Sequence, residues 1–176
     1  MRLPFNKLVI ASGNTGKIRE LEHLLKPLNL EIIPQAALDV PEAEEPYATF
    51  IENALAKARH ASQHTSLPAI ADDSGLCVDA LNGDPGIFSA RWAGTHGNDQ
   101  ANLQKVLDQL KDVPDEKRTA RFMCVASLVL PDGREQVAEG RFEGHILHAP
   151  VGENGFGYDP IFQPLGLSIS SAQMSA

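Results

Sequence analysis

The sequence predicts a mixed α/β fold, and two observations carry that prediction. In the first half, short apolar runs alternate with amphipathic helical segments. In the second, two long strand-like segments flank the turn "PDG" (131–133). Element by element, "KLVIA" (7–11) has the continuous apolar character of a buried strand. "KIRELEHLLKPL" (17–28) follows, with Ile18, Leu21, Leu24, Leu25 and Leu28 at helical spacing and Pro27 ending or kinking the helix. "LEII" (30–33) reads as a second strand, and the proline-bounded "PEAEEP" (41–46) as an acidic loop. "TFIENALAKARHASQH" (49–64) is rich in helix formers, with Phe50, Ala54, Leu55, Ala58 and Ala61 along one side. "PAIA" (68–71) is a short strand delivering the chain to Asp72, and "LCVDAL" (76–81) a further short strand before the "NGDPG" turn. Asn98 or Asp99 caps a helix through Leu103, Val106, Leu107 and Leu110. "TARFMCVASLVL" and "REQVAEGRFEGHIL" form the antiparallel pair around "PDG". A glycine-rich loop, "PVGENGFGYDPIF", interrupts the last strand-like segment.

At 176 residues the chain is expected to form one domain, with room for two lobes. A net charge of −8 and a pI near 5.2 weigh against nucleic-acid or anionic-membrane partners. A small polyanion remains compatible if basic residues or a metal ion gather locally. Cys77 and Cys124 lack a CxxC or Cys/His partner and read as core residues. The opening apolar run breaks at Gly13-Asn14, too early for a secretory signal, and no segment is long enough to cross a bilayer. A reducing cytoplasm is the expected setting.

Three segments can carry chemistry. "SGNTGK" (12–17) lies between a strand and a helix, where unpaired amides and the helix dipole favour an anion; Lys17 adds a charge. It lacks the P-loop spacing, and a plain strand-to-helix connection has the same look. "IADDSGLCVDALNGDPGIFSARWAG" (70–94) sets Asp72, Asp73, Asp79 and Asp84 among turn residues. In an extended strand Asp72 and Asp73 point to opposite faces, so one can brace a turn while the other meets Mg²⁺ and Ser74 meets a phosphate. Glu42, Glu44, Glu45 and Glu52 offer more oxygens, or are simply solvated. In "GENGFGYDP" (152–160), Phe156 and Tyr158 suit either stacking on a base or plugging the loop's own core. The six histidines show no metal-ligand spacing.

"SGNTGKIREL", "TFIENALAKAR", "AIADDSGLCVDALNGDPGIFSARWAG" and "GFGYDPIF" closely resemble, in order, the signatures of the inosine triphosphate pyrophosphatase (RdgB-like) family. The resemblance implies an elongated, ITPase/Maf-like α/β fold with a mixed sheet, flanking helices and two lobes around a cleft, assembled as a homodimer. It implies Mg²⁺-dependent hydrolysis of ITP, dITP and XTP to the monophosphate and pyrophosphate, cleansing the nucleotide pool. It assigns the triphosphate to Ser12, Gly13, Asn14, Thr15, Gly16 and Lys17, with Ser74 as a further substrate contact. Asp73 matches the proton acceptor and a Mg²⁺ ligand, and Glu45 a second metal ligand. Phe156, Gly157, Tyr158 and Asp159 match the loop lining the base pocket. Family members continue past "GYDPIF" into a segment with a lysine, a Ser-His-Arg motif and a closing helix, whereas this chain reads "QPLGLSISSAQMSA". Weakened activity and an exposed apolar patch are the corresponding expectations. The competing readings are a pyrophosphatase with another base preference and a nucleotide-binding module with weak or no turnover. A purely structural protein leaves the Gly, Asp and Lys arrangement unexplained.

Overall fold

The computed structural model describes residues 3–44 and 46–174. Among the described residues, six strands and three α-helices follow the expected order: β1 (Lys7–Ile10), α1 (Thr15–Leu25), β2 (Glu31–Pro34), α2 (Phe50–Thr65), β3 (Ala69–Val78), α3 (Asp99–Gln109), β4 (Thr119–Val129), β5 (Glu135–Ile146) and β6 (Phe162–Pro164). The sheet order is β2-β1-β3-β4-β5-β6. β1 pairs in parallel with β2 and β3, and β5 pairs antiparallel with β6, so the sheet is mixed as expected. Between β4 and β5 the turn is closed by Leu130 N–H to Arg134 O at 2.9 Å, with Gly133 at φ +93°. No helix among the described residues is long and apolar enough to cross a membrane.

The chain divides into two compact units. The first comprises Met1–Asp73 with Val125–Glu139. Its core joins Val9 and Ala11, Ala69 and Ala71, and Val129 to Ala58 and Ala61 of α2. Small residues on that helix face let it lie close to the sheet, and Ser127 Oγ reaches the Ala54 carbonyl at 2.8 Å. The second comprises Ser74–Cys124 with Gly140–Ala176. Leu103, Val106 and Leu110 of α3 pack there on Leu76, Val78, Ala120, Ile146 and Phe162. Within it, Arg118 is 1 % exposed. It donates to the carbonyls of Leu110 (2.6 Å), Val113 (3.3 Å), Ile146 (2.9 Å) and Leu147 (2.8 Å).

Several expectations need correction. The two short strands at 68–71 and 76–81 are one ten-residue strand, β3. A Cβ at Gly75 would collide with the Gly86 carbonyl and the Ser89 hydroxyl, so glycine here permits close packing rather than a turn. Ser89 Oγ accepts from Leu76 N–H at 2.9 Å and donates to Gly86 O at 2.6 Å. The apolar stripe of α1 buries no residue fully, and Leu24 is 70 % exposed. Pro27 does end that helix, in a 3₁₀ turn over Lys26–Leu28. Cys77 is half-buried but Cys124 is exposed, contrary to its expected place in the core.

Candidate active site

In the first unit, the turn 12–17 organises itself before any ligand is considered. Asn14 caps α1: its Oδ1 accepts from Gly16 N–H (2.9 Å) and Lys17 N–H (3.2 Å), and its own N–H donates to Ser12 Oγ (3.1 Å). The cap fixes the turn and leaves the Asn14 Nδ2 group as a donor. Thr15 opens the helix, and Lys17, in its first turn, reaches Asp72 Oδ2 at 3.2 Å. Gly13 is needed for proximity, since a Cβ there would fall inside the Glu42 carboxylate. An acidic side chain from the 41–46 loop therefore lies directly against the turn.

β3 supplies the two aspartates, and strand alternation separates them as expected. Asp73 follows Ala69 and Ala71 on the face that packs on α2, where Lys57 Nζ stands 3.8 Å from its Oδ1. Asp72 turns the other way, toward Lys17 of α1. Both carboxylates are buried, at 8 % and 6 % exposure for Asp72 and Asp73. Burial of this kind is tolerable because each has an ammonium beside it. Lys57 was missed in the sequence. Its signal was a lysine flanked by Ala56 and Ala58 in α2, four positions after the buried Asn53.

Lys17, Asp72 and Glu42 thus adjoin a turn suited to phosphate, while Lys57 pairs with Asp73 on the other face of β3. A polyphosphate added to that set would be repelled unless a cation accompanied it. The buried Asp72 Oδ1 accepts no hydrogen bond from the described residues, and the donors are all hard oxygens of the kind Mg²⁺ takes. No group of three or more His, Cys, Asp or Glu among the described residues is poised to hold an ion. Mg²⁺ bound to a polyphosphate needs only one or two carboxylates, so the residues fit it. Glu45, the expected second ligand, lies outside the described residues.

In the second unit, Ser74 continues β3 and is half-buried. The loop 152–159 is pinned by Asn154 N–H to Ala172 O (2.8 Å), Gly157 N–H to Asp99 Oδ2 (3.1 Å) and Phe156 N–H to Asp159 Oδ2 (3.1 Å). Its two aromatics differ in burial. Tyr158 is buried and donates its hydroxyl to Ser89 O at 2.6 Å, while Phe156 keeps an exposed face. Burial pushes the Tyr158 phenol far up and raises the Asp159 carboxyl, which the Phe156 amide partly offsets. The other two aspartates of the 70–94 stretch have structural surroundings. Asp79 takes Arg121 (3.0 and 3.1 Å) and Thr119 (2.6 Å), which hold its carboxyl below the usual range, and Asp84 sits in the 82–86 turn.

A capped strand-to-helix turn that suits an anion, paired buried carboxylates and a parallel β1-α1-β2 start fit a phosphate-handling α/β protein. Comparison with known proteins narrows the class. The Ham1 family model matches residues 8–176, and the chain belongs to the Ham1 family. The dITP/XTP pyrophosphatase of Streptomyces coelicolor is 52 % identical over 97 % of this chain and 86 % of its own length. A HAM1 protein structure from Coxiella burnetii superposes with a TM-score of 0.88 at 43 % identity, covering 97 % of this chain and 88 % of that one. A nucleoside-triphosphatase/dITP/XTP pyrophosphatase structure from Mycobacterium abscessus gives 0.81 at 49 % identity, covering 96 % and 89 %.

Proposed function

We propose that the protein hydrolyses deaminated purine nucleoside triphosphates, ITP, dITP and XTP, to the monophosphate and pyrophosphate with Mg²⁺. The observation that carries the reading is the buried Asp73 with Lys57 at 3.8 Å, next in the chain to Asp72, which the turn's own Lys17 reaches. The turn 12–17 takes the triphosphate through backbone amides, the Asn14 amide and Lys17. Mg²⁺, when bound, supplies neutralisation of the phosphate charge and acidifies a coordinated water; Asp73 and Glu45 would hold it. Asp73 accepts the proton of the water that attacks the α-phosphorus, and the Lys57 ammonium 3.8 Å away orients that carboxylate. The bond from the α-phosphorus to the α–β bridging oxygen breaks, and pyrophosphate leaves with the electron pair. Lys17 stabilises the charge that develops on it. Ser74 contacts the phosphates; Phe156, Gly157, Tyr158 and Asp159 line the base. Tyr158 does so through its backbone, since its side chain is committed to the core.

The homodimer and the cytoplasmic setting belong to the same reading; sedimentation tests the first. A binding module without turnover is the less favoured alternative, because the paired carboxylates serve hydrolysis better than grip. Product analysis with ITP, dITP, XTP, GTP and ATP decides. Pyrophosphate released selectively from the first three supports the proposal. Orthophosphate as the first product, or no preference over GTP, contradicts it.

A further inference from the structure

The acidic loop is fastened at both ends to one helix. At its start, Pro41 O lies 2.9 Å from His60 Nε2. At its end, the Asn53 side chain bonds both backbone groups of Tyr47: Tyr47 N–H donates to Oδ1 at 3.2 Å, and Nδ2 donates to Tyr47 O at 3.3 Å. Asn53 and His60 stand seven residues apart on α2, two helical turns along nearly the same face. Asn53 is 1 % exposed, so its amide is fixed by packing, whereas His60 is only partly covered. Between the two fastenings Glu42 meets Gly13 of the phosphate turn, and Glu44 follows, exposed. The same helix carries Lys57, the partner of Asp73, between the two fastening residues.

From this we infer that Asn53 and His60 are positioning residues, which hold the acidic loop against the phosphate turn and so set cation and nucleotide affinity. The inference rests on the phosphate-site reading above. A loop held at one end alone samples many arrangements, and binding then has to order it; fastening both ends in advance removes that cost. His60 acts as a donor through Nε2–H, so an amide donor of similar reach substitutes for it, whereas a methyl group does not.

The test compares wild type with His60→Ala and His60→Gln, and uses three readouts. Mn²⁺ titration by electron paramagnetic resonance reads cation affinity without turnover. Pyrophosphate release from ITP separates KM from kcat. Cleavage by a glutamate-specific protease reads loop order whatever the activity. For His60→Ala, Mn²⁺ affinity is expected to weaken and KM to rise by about three- to tenfold, the worth of one net hydrogen bond. kcat at saturation stays within about twofold, cleavage at Glu42 and Glu44 quickens, and His60→Gln returns all three toward wild type. Asn53→Ala moves the same readouts further and also lowers the melting temperature. Unchanged Mn²⁺ affinity and KM in His60→Ala, or a Gln variant as impaired as Ala, overturns the inference. A wild-type protein that leaves ITP intact overturns the function proposed above instead, and the protease comparison still decides whether His60 holds the loop.

Discussion

Lys17, in the turn capped by Asn14, pairs with the buried Asp72, and removing either charge has separable consequences. Lys17→Met leaves the Asp72 carboxylate buried beside a methyl group and strips a cation from the turn. The expected outcome is a loss of about 3 kcal/mol in urea unfolding and a higher KM for ITP. Adding Asp72→Asn restores the stability but not the KM, because only the first defect is an uncompensated charge. Among the four aspartates of residues 70–94, sequence alone showed that Asp72 and Asp73 must diverge, since strand alternation is local. It did not show that Asp79 belongs to Arg121 and Thr119, because those partners come from β4, some forty residues away. Lys57 and the Gly13–Glu42 contact were hidden for the same reason: each joins segments that only the tertiary fold brings together.

At the scale of elements, the loop 152–159 holds its shape at a cost. The Asp159 carboxyl is raised by burial, so the folded state binds its proton more tightly than the unfolded chain does. That contribution is favourable below the ordinary aspartate range and is lost as pH rises through the folded value. Asp159→Asn keeps an acceptor for Phe156 N–H while removing the buried charge. Its melting temperature is therefore expected to match wild type near about pH 3 and exceed it near about pH 7; calorimetry at the two values checks this. Arg118 works in the opposite sense, joining the end of α3 to the end of β5 through four carbonyls. Arg118→Met leaves those acceptors without their donor and is expected to lower stability by about 3 kcal/mol or more, read by chemical denaturation. The elements themselves were largely legible, because apolar runs and helical spacing are local signals. β3 was divided in the sequence reading because Ser74 and Gly75 look like a turn. The groups that keep Gly75 extended, Gly86 O and Ser89 Oγ, lie more than ten residues downstream. The α1 spacing correctly gave a helix, but amphipathy does not say how completely a stripe is covered, and Leu24 is largely exposed.

For the molecule as a whole, the formal charge of −8 and the carboxylates at the turn set the terms on which a polyphosphate can bind. Nucleotide and cation are expected to stabilise the fold together. A non-hydrolysable ITP analogue at a hundred times its Kd with Mg²⁺ should add about 2.7 kcal/mol, seen as a rise in melting temperature that EDTA reverses. The analogue raising the melting temperature equally without the cation would contradict the charge argument. The family was legible from four segments because each is long and they stand in the family's order, and the family model matches residues 8–176. The fastening of the acidic loop to α2 was not legible, since it joins segments that only the tertiary fold brings together. The central claim is that Asp73 is the proton acceptor of a pyrophosphate-releasing hydrolysis, and its most direct test is pyrophosphate release from ITP with Mg²⁺ by wild type and Asp73→Asn. The account predicts release by the wild type and a fall of about a hundredfold or more in kcat for the variant, with its fold intact by circular dichroism. A variant that turns over ITP at the wild-type rate would contradict it.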